Sequence, residues 1–248
     1  MPVLTVDDAE IYFEEFGHGF PVLLIAPGGM GSRTELWHAP PGGPLRSWND
    51  WTEVLAGDYR VIAMDQRNAG QSRGAIEAGH GWRTYADDQL ALLDHLGVAR
   101  CHTLGGCIGS SFCLTLCDIA PERIGAMVLQ NPIGVHPDFP TYFPDGFAKW
   151  ADGQRAERPE LREAALESFG RNMWGGEFVF NVSRDFVKGC DTPALVLPGN
   201  DTAHPRVIGM EVADLLPNSE ILIDWKGPDH NEEQRGRVVS FLAKHTPN

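Results

Sequence analysis

Positive charge is scarce in this chain: Lys and Arg total 20 against 34 Asp and Glu, a formal charge of -14 at pH 7. That balance repels phosphate backbones and anionic lipid headgroups, which argues against nucleic acid and membrane surfaces as partners. Long apolar runs are missing as well, since no stretch approaches the roughly 20 apolar residues that span a bilayer. The opening MPVLTVDDAEIYFEEFG lacks the basic stretch and apolar centre of a secretory signal, so the expected location is the cytoplasm. Neither paired CxxC clusters nor an HExxH string occurs, and there is no Walker-type loop or GxGxxG. No metal and no cofactor are therefore expected. Repeats and low-complexity tracts are absent. The cysteines number five, an odd count with no paired spacing, which reads as reduced thiols.

What is present is an alternation of short apolar runs with amphipathic stretches. At 248 residues the chain can hold one large α/β domain or a core with an inserted subdomain. After a hairpin-like pair, VLTV and EIYFEEFG, strand candidates fall at 21–27, 60–65, 101–106, 126–132, 193–199 and 220–225. Near-continuous apolar runs separated by helical patterns such as YADDQLALLDHLGV indicate a parallel sheet covered on both faces. Functional groups of such doubly wound sheets gather at the carboxyl ends of the strands.

The alternation breaks between 133 and 190, where rings concentrate instead: Phe139, Tyr142, Phe143, Phe147, Trp150, Phe169, Trp174, Phe178 and Phe180. An aromatic insert between two core strands is what a lid over an apolar pocket looks like, although a satellite hydrophobic cluster has the same composition. The expected division is a core of 1–132 and 191–248 with a lid of 133–190. A second irregular stretch, His38–Trp51, carries Pro and Gly residues that argue for an ordered loop.

Chemistry concentrates at strand ends. Gly105-Gly106-Cys107-Ile108-Gly109 joins a strand to a helix and places glycines two before and two after a thiol, as a crowded nucleophile turn requires. The helix that begins there points its positive end at the sulfur and favours the thiolate. Cys113 and Cys117, four apart in an apolar helix, read as small buried hydrophobes. Pro27-Gly28-Gly29-Met30-Gly31 offers backbone N–H groups for a developing oxyanion, with Gly29 the expected donor and Ile108 the second. Asp201 follows an apolar strand in a Gly-Asn-Asp turn, and His230 lies after the last strand, so the order nucleophile, acid, histidine is complete. Each of these residues alone also has an ordinary turn or capping role.

Taken in order, these segments resemble the α/β-hydrolase superfamily over nearly the whole chain. PVLLIAPGGMGS resembles its His-Gly-Gly-Pro-Gly oxyanion segment, with Pro27 where histidine is usual. Asp65-Gln66-Arg67-Asn68-Ala69-Gly70-Gln71-Ser72 resembles its Asp-x-Arg-Gly-x-Gly-x-Ser loop, with Asn68 in place of glycine. The resemblance implies a doubly wound, mostly parallel eight-stranded sheet with a small helical lid inserted after the sixth strand. Dienelactone hydrolases of this superfamily also use cysteine, yet the remainder looks more like its capped esterases and carbon–carbon hydrolases.

The expected activity is hydrolysis of an ester, thioester or lactone of a small apolar or aromatic acyl compound. Cys107 would be the nucleophile, His230 the base and Asp201 the residue that orients it. Carbon–carbon bond hydrolysis, acyl transfer or lyase chemistry on the same fold are the alternatives, followed by a ligand-binding or redox-sensing non-enzyme. Gly28, Met30, Trp37, His38, Asn131, Trp174 and His204 are candidate substrate contacts, each with a structural role as its alternative. The partner expected is a small-molecule substrate, and a homodimer is left open.

Overall fold

The structure is a computed structural model that describes residues 2–38, 49–136 and 138–247. Among the described residues nine strands form one sheet: β1 (Val3–Val6), β2 (Ala9–Phe16), β3 (Phe20–Ile25), β4 (Tyr59–Met64), β5 (Arg73–Gly74), β6 (Cys101–Gly106), β7 (Ile124–Gln130), β8 (Ala194–Leu197) and β9 (Ser219–Ile221). Their order is β1-β2-β4-β3-β6-β7-β8-β9, with β5 paired to β2. The pairs from β4 through β3, β6, β7 and β8 to β9 are parallel, whereas β2 runs antiparallel to β1, β4 and β5. The sheet is thus mixed and has one strand more than the eight expected. The extra one is β5, two residues long and too short to leave a hydrophobic pattern.

Apolar side chains alternate between two cores, one on each face of the sheet. Leu23 and Ile25 of β3 enter one cluster, while Val22 and Leu24 enter the other. The first core holds α2 (Trp82–His95) and α3 (Ile108–Ile119); the second holds α1 (Trp51–Leu55) and α8 (Asn231–His245). Strand β6 lies between β3 and β7, and every one of its residues is buried. Whatever follows β6 is therefore anchored in the buried centre of the sheet.

The aromatic-rich stretch forms α4 (Tyr142–Glu157), α5 (Glu163–Trp174) and α6 (Arg184–Gly189) between β7 and β8, before α7 (Arg206–Leu215). These helices follow β7, which overlaps the strand expected at 126–132 and is seventh only because β5 is counted. Of the irregular stretch expected at 38–51, residues 39–48 lie outside the described residues, and α1 begins at Trp51. No helix among the described residues is long and apolar enough to cross a membrane.

Candidate active site

Cys107 sits at the corner between β6 and α3 with φ 55° and ψ -117°, a left-handed conformation that a non-glycine residue rarely adopts. The corner is held by Cys107 N–H donating to the Gln130 carbonyl at 2.9 Å, and by the Ser110 hydroxyl bridging the Gly105 and Gln130 carbonyls. A Cβ on Gly105 would lie 2.1 Å from the Gly109 carbonyl oxygen, and one on Gly109 would lie 2.1 Å from that of Ile25. Both glycines are thus required by backbone contact, as the crowded turn predicted.

Beyond β8, the chain folds back on itself in a four-residue turn, Asp201-Thr202-Ala203-His204. The His204 N–H donates to the Asp201 carbonyl and to its carboxylate Oδ1, both at 3.0 Å. The imidazole Nδ1 lies 2.8 Å from the same Oδ1, so one turn carries both an acid and a base. Lys226, in the loop after β9, donates from Nζ to Asp201 Oδ2 at 2.7 Å. The carboxylate is thereby clamped between an ammonium group and an imidazole, although its side chain remains 49% exposed.

His204 and Cys107 face one another and shift one another's titration. Burial pushes the Cys107 thiol up, but the His204 charge, its hydrogen bonding and the backbone N–H groups of Gly28 and Ile108 bring it below the ordinary thiol value of 9.0. Burial likewise depresses His204, yet the Cys107 charge and then Asp201 raise it above 6.5. Both directions move the pair toward thiolate and imidazolium. His204 Nε2 is buried without a fully aligned hydrogen bond, as is common for catalytic contacts before substrate binds. For Asp201, burial raises the pKa, but Lys226 and His204 together lower it below 3.8 and keep it ionised.

A cavity of about 370 Å³ opens in front of the sulfur. Gly28, Gly29, Met30 and His204 line it from the core side, and Phe143, Phe147, Trp150 and Trp174 from α4 and α5. Trp174 stacks on Phe143 with centroids 5.2 Å apart and meets Phe180 edge to face, so this wall is a packed aromatic assembly.

The expected base, His230, is not at the sulfur. It occupies the N-cap of α8, partly exposed, with its N–H donating to the Gly227 carbonyl at 3.0 Å, and it does not line the cavity. The reason is local geometry: the tight turn at 201–204 delivers an imidazole to the position that the loop after β9 was expected to supply. A Gly28 N–H, not that of Gly29, joins the Ile108 N–H at the sulfur. Gly29 lies in the cavity wall. Of the other candidate contacts, Trp37 is fully buried against Gly106, His38 pairs with Asp50 at 2.7 Å, and Asn131 is buried just after β7; none of the three lines the cavity. Reading the sequence missed Lys226 altogether, because a lysine two residues from a proline in a loop carries no signal of its own. Among the described residues, no group of three or more His, Cys, Asp and Glu is placed to hold a metal ion.

The alpha/beta hydrolase fold family matches the chain over residues 21–190. "Putative carbamate hydrolase RutD" of Pseudomonas syringae pv. syringae (strain B728a) is 37% identical over 90 residues, which cover 36% of this chain and 35% of that protein. The dihydrolipoyllysine-residue acetyltransferase component of an acetoin cleaving system of Pseudomonas putida is 31% identical over 120 residues, 48% of this chain and 32% of that protein. The chain thus spans only about a third of the length of these curated relatives. Among solved structures, the enol-lactonase from Burkholderia xenovorans LB400 superposes with a TM-score of 0.67 at 20% identity, covering 98% of this chain and 100% of the other. At that identity the likeness is one of fold.

Proposed function

Because the chain belongs to the alpha/beta hydrolase fold family, we propose that it is a hydrolase whose nucleophile is the Cys107 thiolate, with His204 as general base and acid and Asp201 as the residue that orients it. The observation that carries this reading is the mutual bias of Cys107 and His204 toward thiolate and imidazolium at the floor of an aromatic cavity. The thiolate attacks an acyl carbon, and the N–H groups that solvate the sulfur, Gly28 and Ile108, receive the oxyanion. The tetrahedral adduct collapses as the imidazolium at His204 gives its proton to the departing alkoxide or thiolate. Nε2, now neutral, takes a proton from water, the resulting hydroxide attacks acyl-Cys107, and the acid is released with the thiolate restored. Asp201 fixes the tautomer with its Oδ1 on Nδ1 and stabilises the cationic ring.

Leaving-group chemistry narrows the substrate. A thiolate departs more readily than an amine, so an adduct formed on an ordinary amide returns to starting material. Esters, thioesters and lactones have leaving groups that compete with the sulfur. The aromatic wall supplied by the 133–190 insertion, which acts as a lid, selects an apolar or aromatic acyl group.

A panel of p-nitrophenyl esters, acyl thioesters and lactones tests the reading, with acid-quenched intact mass measurement and peptide mapping. Turnover with an acyl group on Cys107, absent in Cys107→Ala, is the expected result. Absence of both turnover and adduct across the panel refutes it, and a product lacking oxygen from labelled water assigns transfer or elimination instead.

A further inference from the structure

On the outer side of the aromatic wall lies a second cavity of about 390 Å³, between α4 and α5. It shares two walls with the cavity over Cys107, namely Phe147 and Trp174. Its remaining surface is apolar at the centre, where Ala148, Ala151, Leu166 and Gly170 face it, and charged at the rim. The rim charges are already paired: Arg155 with Glu163 at 2.7 Å, and Arg171 with Glu167 at 3.9 Å. No unpaired rim charge of this set asks for a charged ligand, so the occupant that fits is a neutral, apolar chain.

Gly170 makes room for one of these two shared side chains. It lies within α5, where glycine is the least favoured residue after proline. A Cβ there would come within 2.7 Å of Phe147 Cε1. The missing side chain is the space in which the Phe147 ring rests, and a methyl group would displace that ring.

We propose that Phe147 and Trp174 form a portal through the lid, and that the distal part of a long acyl chain passes between them into the cavity between α4 and α5 while its carbonyl lies at Cys107. The inference rests on the acyl-hydrolase reading and extends its substrate class from small acyl groups to elongated aliphatic ones. Phe147 is the specificity-determining side chain and Gly170 the residue that sets its position. Each methylene newly buried raises affinity by about four-fold at full burial.

The test is equilibrium binding of neutral primary n-alkyl amides, butanamide to decanamide, to the intact protein by calorimetry. The portal predicts affinity that rises with chain length by at least tenfold across the series. Ala148→Trp fills the outer cavity from an exposed position that the fold does not depend on, and Gly170→Ala displaces the Phe147 ring. Either is expected to cut the ratio of decanamide to butanamide affinity at least fivefold. A ratio near unity in the wild type, or one that neither substitution changes, overturns the portal. Binding is read without turnover, so failure of the acyl-enzyme mechanism shows separately, as absence of an adduct on Cys107, while the chain-length ratio still decides the portal.

Discussion

In the proposed mechanism, replacing His204 by alanine removes both the proton acceptor and the group that lowers the Cys107 pKa, whereas replacing His230 removes neither. The first loss, that of a positioned general base, costs about 10²–10⁴-fold in rate. The second acts on the nucleophile. Cys107 is 8% exposed, and two thiols that burial governs without such a partner, Cys101 and Cys113, are pushed up to about 12. A thiol at that value is ionised to about one part in 10⁴ at pH 8. Gly28 and Ile108 still donate to the sulfur, so the rise stops short of that limit. The combined expectation for His204→Ala is a fall in kcat/KM of about 10³–10⁴-fold, or ~4–5.5 kcal/mol of transition-state stabilisation. For His230→Ala it is less than about threefold, because the side chain is partly exposed, makes no capping hydrogen bond to α8 and does not line the cavity. Two assays decide: kcat/KM on an activated ester, and the pH dependence of iodoacetamide alkylation at Cys107 located by peptide mass. In the wild type the alkylation rate rises through a midpoint below 9.0, and in His204→Ala the midpoint moves upward. Equal losses in the two variants, or an unchanged alkylation profile in His204→Ala, would falsify the assignment of the base.

Two other outcomes follow from backbone contact and from burial. Gly109→Ala places a Cβ 2.1 Å from the Ile25 carbonyl oxygen, which is backbone and cannot turn away; the expected destabilisation is ~3 kcal/mol or more, and wild-type urea unfolding together with wild-type activity would refute the steric account of the corner. His102 is fully buried on β6, and burial first, then the charges of His245 and Arg100, lower its pKa from 6.5 to about 4. The folded state thus holds the neutral ring, so this stabilisation is complete above about 6.5 and is lost as the pH falls from there toward about 4; it amounts to about 3 kcal/mol at most. His102→Leu should flatten that limb of an acid-unfolding curve, and an unaltered limb would show that other groups carry it.

The sheet was readable because its central strands are buried on both faces and therefore carry unbroken apolar runs; 101–106 was predicted to the residue. The corner at Cys107 was readable for a different reason, since steric crowding leaves only glycine at 105 and 109. Asp201 was found by its place after β8. The imidazole that the structure places at Cys107 was not, because spacing along the chain reports which loop a residue belongs to and not where a tight turn aims it. Asp-Thr-Ala-His followed by Pro205 is the only local trace of the turn that brings His204 to the sulfur. Which glycine of the Pro27–Gly31 segment presents its N–H was equally hidden, since that depends on Gly28 holding φ 120°. Expectation was also limited at the edges of the sheet, where β5 and β9 are too short to impose a period.

The turn at 201–204 has a mechanical consequence. When a carboxylate and an imidazole arrive on separate loops, each loop's motion blurs both the carboxylate–imidazole and the imidazole–nucleophile distances. Here the two groups are bonded through their own backbone as well as through Nδ1 and Oδ1, and they travel as one block. Thermal motion of that segment leaves the internal geometry intact and varies a single coordinate, the gap between the ring and the sulfur. The loop after β9 is relieved of carrying the ring: it contributes Lys226 as a strut to Asp201, while Trp225, buried beside it, ties the loop to the Pro198 carbonyl at 2.7 Å.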